Sequence, residues 1–483
     1  MTVKVSKKRR KVLFAASEVY PFAKSGGLAD VAASLPKALS SEFEMRVIMP
    51  FYRSIDGLKY NIVPLDIFYT IPMNGKEYEV RLFGCSYGGI TYYFVQSPVL
   101  SERAYLYGPP DHGYADNALR FAIFCRVIVK FLKEDGDFSV LHLNDWQTAL
   151  AALLVKEDAS IKTKTVYTIH NLAYQGIFPY HTLREIGLSE RYYHMDALEF
   201  YGSISLMKAG IAYADCITTV SSEYAKEIQT KAFGFGLEGF LFYHRSKLSG
   251  ILNGIDTDVF SPQTDPFIVY HYSAGNYTKK FENKKAYLKE RGLKGQKKPL
   301  FIFIGRFTWQ KGVDLLADVL ERTAHLDMNI AILGEGETVY HQRLLRLVSK
   351  YRHIDLFFGY KETLSHRMYA AGDFLLMPSL YEPCGLNQMI AMRYGTLPVV
   401  HSVGGLKESV TPFESFSNHS TEGFGICFTE ATADALYEAI TEAVKLFRTA
   451  RCKEINRHNM QCDFSWKQSA GKYAALYHKL EQS

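Results

Sequence analysis

Along this chain, short runs rich in β-branched and aromatic residues alternate with longer stretches whose apolar positions recur every three or four residues. The short runs predict strands at residues 12–16, 46–49, 79–83, 91–95, 140–143, 165–169, 216–220 and 248–252. Helices are predicted between several of them, at 28–39, 117–132 and 146–156. The rhythm restarts near residue 300. Strands at 300–304, 329–333, 355–358, 374–377, 397–400 and 425–428 alternate with helices at 312–322, 341–349, 386–393 and 432–447. Strands apolar on both faces and separated by helices indicate parallel sheets covered on each side. The pattern therefore predicts two doubly wound α/β domains, and 483 residues exceed what one ordinary core needs. The break is expected between Leu252 and Pro299. The polar Gly/Lys stretch 291–299 and the turn Asn253-Gly254-Ile255-Asp256 are both candidates, and composition does not decide between them.

Composition removes several function classes. Apolar residues make up 47% and charged residues 22%, the balance of a packed globular chain rather than a disordered one. A net charge of +6 is mild for this length; it suits an anionic ligand such as a phosphate and does not call for nucleic acid. Part of it lies in the run Lys7-Lys8-Arg9-Arg10-Lys11, read as a solvated flank. Seven cysteines with no CxxC pair suggest neither a disulfide framework nor a zinc site, and a reducing, cytoplasmic compartment is expected. The apolar run 12–16 is broken by Ser17 and Glu18, short of the roughly 7 to 15 residues of a signal core. Nothing approaches the roughly 18 apolar residues of a membrane span.

In open α/β sheets ligands gather at the carboxyl ends of strands, where helix N-termini direct N–H groups. Two glycine pairs stand at such places, Ser25-Gly26-Gly27-Leu28 beside Lys24, and Val403-Gly404-Gly405-Leu406. The segment 300–312 runs from a buried strand into a loop with Arg306 and Lys311. Both could reach one diphosphate, the Arg as a planar fork and the Lys as a point charge. They would neutralise charge on a departing nucleotide diphosphate without a metal. Glu382, after the strand at 374–377 and before Cys384-Gly385-Leu386, is placed to hold sugar hydroxyls. His170 and Asp145 each follow a strand of the first domain. Asp256-Thr257-Asp258 and Asp135-Gly136-Asp137 match the Asp-x-Asp pattern of metal-dependent sugar transferases. Such matches arise easily by chance, and the first lies in the inter-domain turn and the second in a polar loop, so both are set aside and no metal or other cofactor is expected. A dehydrogenase is excluded because neither domain's first turn carries GxGxxG.

Taken in order, Lys24-Ser25-Gly26-Gly27-Leu28, Asn144-Asp145-Trp146, Thr168-Ile169-His170-Asn171, Leu252-Asn253-Gly254-Ile255-Asp256, Gly305-Arg306, Gln310-Lys311-Gly312, Glu382-Pro383-Cys384-Gly385-Leu386 and Tyr394-Gly395-Thr396-Leu397-Pro398 resemble the bacterial glycogen synthases and plant starch synthases over nearly the whole chain. The resemblance implies the GT-B arrangement, two Rossmann-like domains facing across a cleft that closes on substrate. It implies an N-terminal domain over 1–253, a nucleotide-sugar domain over 254–462, and a last helix within 463–483 crossing back to the first domain. It implies retaining transfer of glucose from ADP-glucose to the non-reducing end of an α-1,4-glucan. Lys24 and Gly27 would contact the donor's distal phosphate and sugar, Arg306 and Lys311 the leaving ADP, and Glu382 the glucose hydroxyls. Cys384, Gly385 and Leu386 would line that pocket, with His170 and Asp145 near the reacting centre and acceptor, and Asn253 on the sugar. Gly26, Asp30, Asn171, Gly404 and Gly405 complete the expected substrate-binding set.

The chain departs from the family pattern at Ser25, where Thr is usual and a hydroxyl is kept, and at Val403, where the usual Thr hydroxyl is lost. That loss is expected to weaken donor binding by about 1 kcal/mol. Ile390 stands where wider retaining relatives often carry a second Glu, which fits the synthase branch. Two rivals remain: UDP-glucose as donor, since no base-binding signature is readable, and a catalytically inactive glucan-binding protein.

Overall fold

The computed structural model describes residues 9–109, 112–135, 137–359 and 361–482. Lys7, Lys8, Gly136 and Ser483 lie outside the described residues, as does the side chain of Asp135. The backbone divides into two compact units. The first runs as far as Val220, resumes over Ala225–Ile251 and takes in the C-terminal stretch from Trp466; the second comprises Ser221–Tyr224 and Leu252–Ser465. The main division thus falls between Ile251 and Leu252, two residues ahead of the expected 253/254 boundary. The stretch 291–299 is no linker: it lies inside the second unit, where Arg291 grips Asp355 through Nε and Nη2 at 2.8 and 2.7 Å.

Among the described residues, nineteen strands are numbered in chain order. In the first unit they are β1 Lys11–Ala15, β2 Glu44–Pro50, β3 Val63–Met73, β4 Lys76–Tyr87, β5 Ile90–Gln96, β6 Phe138–Asn144, β7 Lys164–Ile169, β8 Ile177–Pro179, β9 Glu199–Phe200, β10 Ser203–Ser205, β11 Cys216–Thr219 and β12 Leu248–Gly250. Nine form one sheet in the order β12-β11-β7-β6-β1-β2-β5-β4-β3. All neighbours pair in parallel except β5–β4 and β4–β3, which are antiparallel. The chain winds outward from β1 in both directions, so the β1/β6 junction is the switch point where such sheets bind ligands. Strand β3 escaped the sequence pattern because it is mostly exposed and carries Pro64 and Pro72, residues tolerated only at a sheet edge. The last helix, Trp466–Gln482, packs Trp466, Ala470, Tyr473, Ala474 and Tyr477 into the first unit's core with Val12, Phe14 and Leu35.

The second unit is one parallel sheet of seven strands, in chain order β13 Leu300–Ile304, β14 Asn329–Gly334, β15 Ile354–Phe358, β16 Phe374–Met377, β17 Leu397–His401, β18 Thr411–Pro412 and β19 Phe424–Phe428. Their spatial order is β15-β14-β13-β16-β17-β19-β18, which puts the switch point between β13 and β16. Helices Val313–Arg322 and Ala433–Phe447 supply Leu316, Leu320, Leu436 and Ile440 to the core beneath it. No described helix is long and apolar enough to cross a membrane.

Candidate functional site

In the second unit, the loops leaving β13 and β16 meet at the switch point. Leu380 N–H donates to the Gln310 carbonyl at 2.9 Å, fastening one loop to the other. Across that fastening, Lys311 Nζ donates to Glu382 Oε2 at 2.6 Å and Ser379 Oγ donates to the same oxygen at 2.9 Å. Glu382 is only 5% exposed, so this is a carboxylate drawn out of water by a cation and a hydroxyl. The sequence placed Lys311 and Glu382 in separate motifs; the fold makes them one group. Arg306 stands exposed on the same loop as Lys311.

Two glycines allow this closeness. Gly312 has φ +65°, and a Cβ there would lie 2.0 Å from the Pro378 carbonyl oxygen. A Cβ on Gly405 would lie 2.2 Å from the Cys384 carbonyl oxygen, while its N–H donates to the Glu382 carbonyl at 2.9 Å. The helix Gly404–Ser409 is thereby seated directly on the Glu382–Leu386 loop, with Leu386 capping the next helix, Asn387–Arg393. Val403 is buried as the N-cap of Gly404–Ser409, with no side-chain capping bond. Burial pushes the Cys384 thiol up to about 12, opposed by a hydrogen bond from the Asn253 N–H. Asn253 itself is buried, and its Oδ1 has no hydrogen-bond partner among the described residues. Asp256 Oδ1 caps the N–H groups of Asp258 and Val259 at 2.9 and 3.2 Å, the ordinary duty of an Asp in a turn.

In the first unit the ends of β1, β6 and β7 carry the candidates. Asp145 is a non-glycine residue at φ +54°, a conformation in which its Oδ1 accepts from the N–H groups of His170 at 2.7 Å and Asn171 at 3.4 Å. Burial pushes the Asp145 carboxyl up to about 7, against the pull of those two hydrogen bonds. His170 Nε2 lies 2.9 Å from Asn144 Oδ1. Because Asn144 Nδ2 donates to the Ala15 carbonyl at 3.0 Å, its Oδ1 must accept, and Nε2 carries the imidazole proton. Burial drives His170 down to about 3, so the ring is neutral in the physiological range.

Lys24 Nζ donates to Asp30 Oδ1 at 2.7 Å, the Lys exposed and the Asp half-buried beside the Gly26-Gly27 turn. The turn itself is held by Glu18, a residue to which the sequence assigned no role beyond ending an apolar run. Its Oε2 accepts from Ser25 N at 2.5 Å and Ser25 Oγ at 2.6 Å. Burial raises the Glu18 carboxyl above its usual range, with the Ser25 bonds opposing. Glu18, Asn144 and Ser379 are positioning residues to which sequence reasoning assigned no role. A carboxylate just beyond the apolar run 12–16, separated from it only by Ser17, was the available signal for the first; for Asn144 the pairing with His170, 26 residues away, exists only in space.

The starch synthase catalytic domain family matches residues 11–242, and the family of glycosyl transferases group 1 matches residues 284–458. "Glycogen synthase 2" of Geobacter sulfurreducens is 41% identical over 477 residues, covering 97% of this chain and 98% of its own. The glycogen synthase of Aquifex aeolicus is 41% identical over 474 residues, covering 98% and 99%. Among solved structures, the catalytic domain of starch synthase IV from Arabidopsis thaliana, bound to ADP and acarbose, superposes with a TM-score of 0.91 at 31% identity, covering 98% of this chain and 100% of that one.

Proposed function

The chain belongs to the glycogen and starch synthase family of glycosyltransferases, with its GT-B fold, and from that premise we propose that it transfers glucose from ADP-glucose to the non-reducing end of an α-1,4-glucan, with retention and without a metal. The observation that carries this reading is the Lys311–Glu382–Ser379 group at the second unit's switch point. Lys311, with Arg306 on the same loop, neutralises the charge that develops on the departing ADP. Such stabilisation is worth most where water is excluded, and the burial of Glu382 marks that environment. Glu382, fixed by Lys311 and Ser379, presents its second oxygen to glucose hydroxyls, and Asn253 Oδ1 is an acceptor awaiting one. Cys384, Gly385 and Leu386 line the sugar pocket. Burial, which pushes the Cys384 thiol up to about 12, favours its protonated form there. Front-face attack assisted by the departing phosphate, which the family resemblance implies, gives the retention.

On the first unit, neutral His170 and Asp145 serve the reacting centre and acceptor, and Lys24 beside its glycine turn supplies a cation for phosphate oxygens. ADP and acarbose in the Arabidopsis relative support an adenine nucleotide and a glucan here. The unpaired cysteines support action in a reducing cytoplasm. Replacing Lys311 with Ala is expected to lower ADP release from ADP-glucose and glycogen by about 10²-fold or more, the scale of losing one charged transition-state donor, with the fold retained by circular dichroism. Activity within threefold of the parent would remove Lys311 from the mechanism.

A further inference from the structure

Outside these strand ends, the small three-stranded sheet β8-β10-β9 carries a feature that neither packing nor the roles above explain. Strands β9 and β10 form a hairpin whose two-residue turn is Tyr201-Gly202, with φ +48° and +80°. Turns of this hand strongly favour Asn, Asp or Gly at the first position, because other side chains strain there. Tyr201 is 80% exposed, so burial does not offset the strain. Its ring stands edge-on to Phe200 at 4.9 Å.

A second strained aromatic residue meets this tip. Phe235 has φ +48°, and a Cβ on the following Gly236 would lie 3.1 Å from the rings of both Phe200 and Tyr201. The two loops are tied to the His170 segment by Gln175. Its Nε2 donates to the Phe235 carbonyl at 2.9 Å, and its own carbonyl accepts from Ser205 Oγ at 3.2 Å and Met207 N–H at 3.0 Å. Gln175 is 3% exposed, yet its Oε1 has no hydrogen-bond partner among the described residues. Hairpin tip, aromatic loop and the segment bearing His170 are thus one braced assembly.

Backbone strain kept at an exposed aromatic residue points to a ligand rather than to the core. A tyrosine ring offers a flat apolar face with a hydroxyl at its edge, which matches a pyranose ring, apolar on its C–H face and hydroxylated around its rim. We propose that the Tyr201 turn is a platform for the glucan acceptor, stacking on a sugar unit displaced along the chain from the one that reacts near His170. This inference rests on the function proposed above.

The test compares wild type with Tyr201→Asn, which suits the turn, and Tyr201→Phe, which keeps the ring. Initial rates are measured with maltotriose and maltoheptaose at saturating ADP-glucose, alongside maltoheptaose binding by calorimetry. For Tyr201→Asn the expected result is a five- to thirtyfold higher KM for maltoheptaose and a smaller effect with maltotriose. KM for ADP-glucose should be unchanged, the thermal midpoint equal or raised, and Tyr201→Phe should behave nearly as wild type. KM and binding of maltoheptaose within twofold of wild type in Tyr201→Asn would overturn the proposal. So would a change confined to oligomeric state in sedimentation, which would assign the patch to a second copy of the chain. If wild type fails to use ADP-glucose, the donor reading falls alone, and the calorimetric comparison still decides the platform.

Discussion

At Asp145 the backbone occupies φ +54° and the carboxyl is held near 7 by burial, well above the ordinary value of 3.8. The folded protein therefore binds this proton more tightly than the unfolded chain does. Stability on this account falls as pH rises from about 4 to about 7 and is flat beyond. An Asp145→Asn variant keeps the Oδ1 acceptor for the His170 N–H and cannot ionise. Its melting temperature is expected to gain on wild type by a few degrees between pH 4 and pH 8; parallel melting curves across that range would contradict the burial argument. His170 and His142, both driven down to about 3 by burial, act with the opposite sign. Their neutral forms support the fold above about 6.5, and that support is lost as pH falls toward 3. The placing of single side chains at strand ends was legible, as with Lys311, Glu382 and His170. The pairings were illegible: Lys311 with Glu382, 71 positions apart, and Glu18 beneath Ser25.

Among elements, the strands buried on both faces were readable because a short apolar run bounded by turns is the signature of a strand covered on each side. The edge hairpin of β3 and β4 was read only in part, since an exposed strand carrying prolines lacks that signature. The C-terminal helix shows how an element far along the sequence completes a distant core. Tyr477 OH lies 2.6 Å from His142 Nδ1, whose Nε2 lies 2.6 Å from Thr168 Oγ1, itself 2.6 Å from Thr218 Oγ1. This chain of buried polar groups crosses β6, β7 and β11, the first two of which end in Asn144 and the His170 loop. Tyr477→Phe leaves a buried ring nitrogen without its partner and is expected to cost about 1–3 kcal/mol, measured by urea unfolding. An unchanged midpoint would show that the helix is held by its apolar face alone. Periodicity did not mark this helix; both the helix and its return were implied only by the family resemblance.

For the whole molecule, the alternation of strands and helices sufficed to predict two doubly wound units, and each has its switch point where the motifs cluster. The boundary was narrowed but not read, because the Gly/Lys-rich stretch 291–299 looks like a linker while Arg291 within it is bound to β15. The donor is the quantity that neither pattern nor packing spells out, since base recognition has no short sequence signature. The most direct measurement is nucleotide release from purified protein with a maltooligosaccharide acceptor, given ADP-glucose or UDP-glucose, with the anomeric configuration of the new linkage followed by proton NMR. The account predicts release from ADP-glucose at a rate at least about tenfold above that from UDP-glucose, a preference of about 1.4 kcal/mol, with the new linkage α. Preferential release from UDP-glucose, a β linkage, or glucan binding without release from either donor would contradict it.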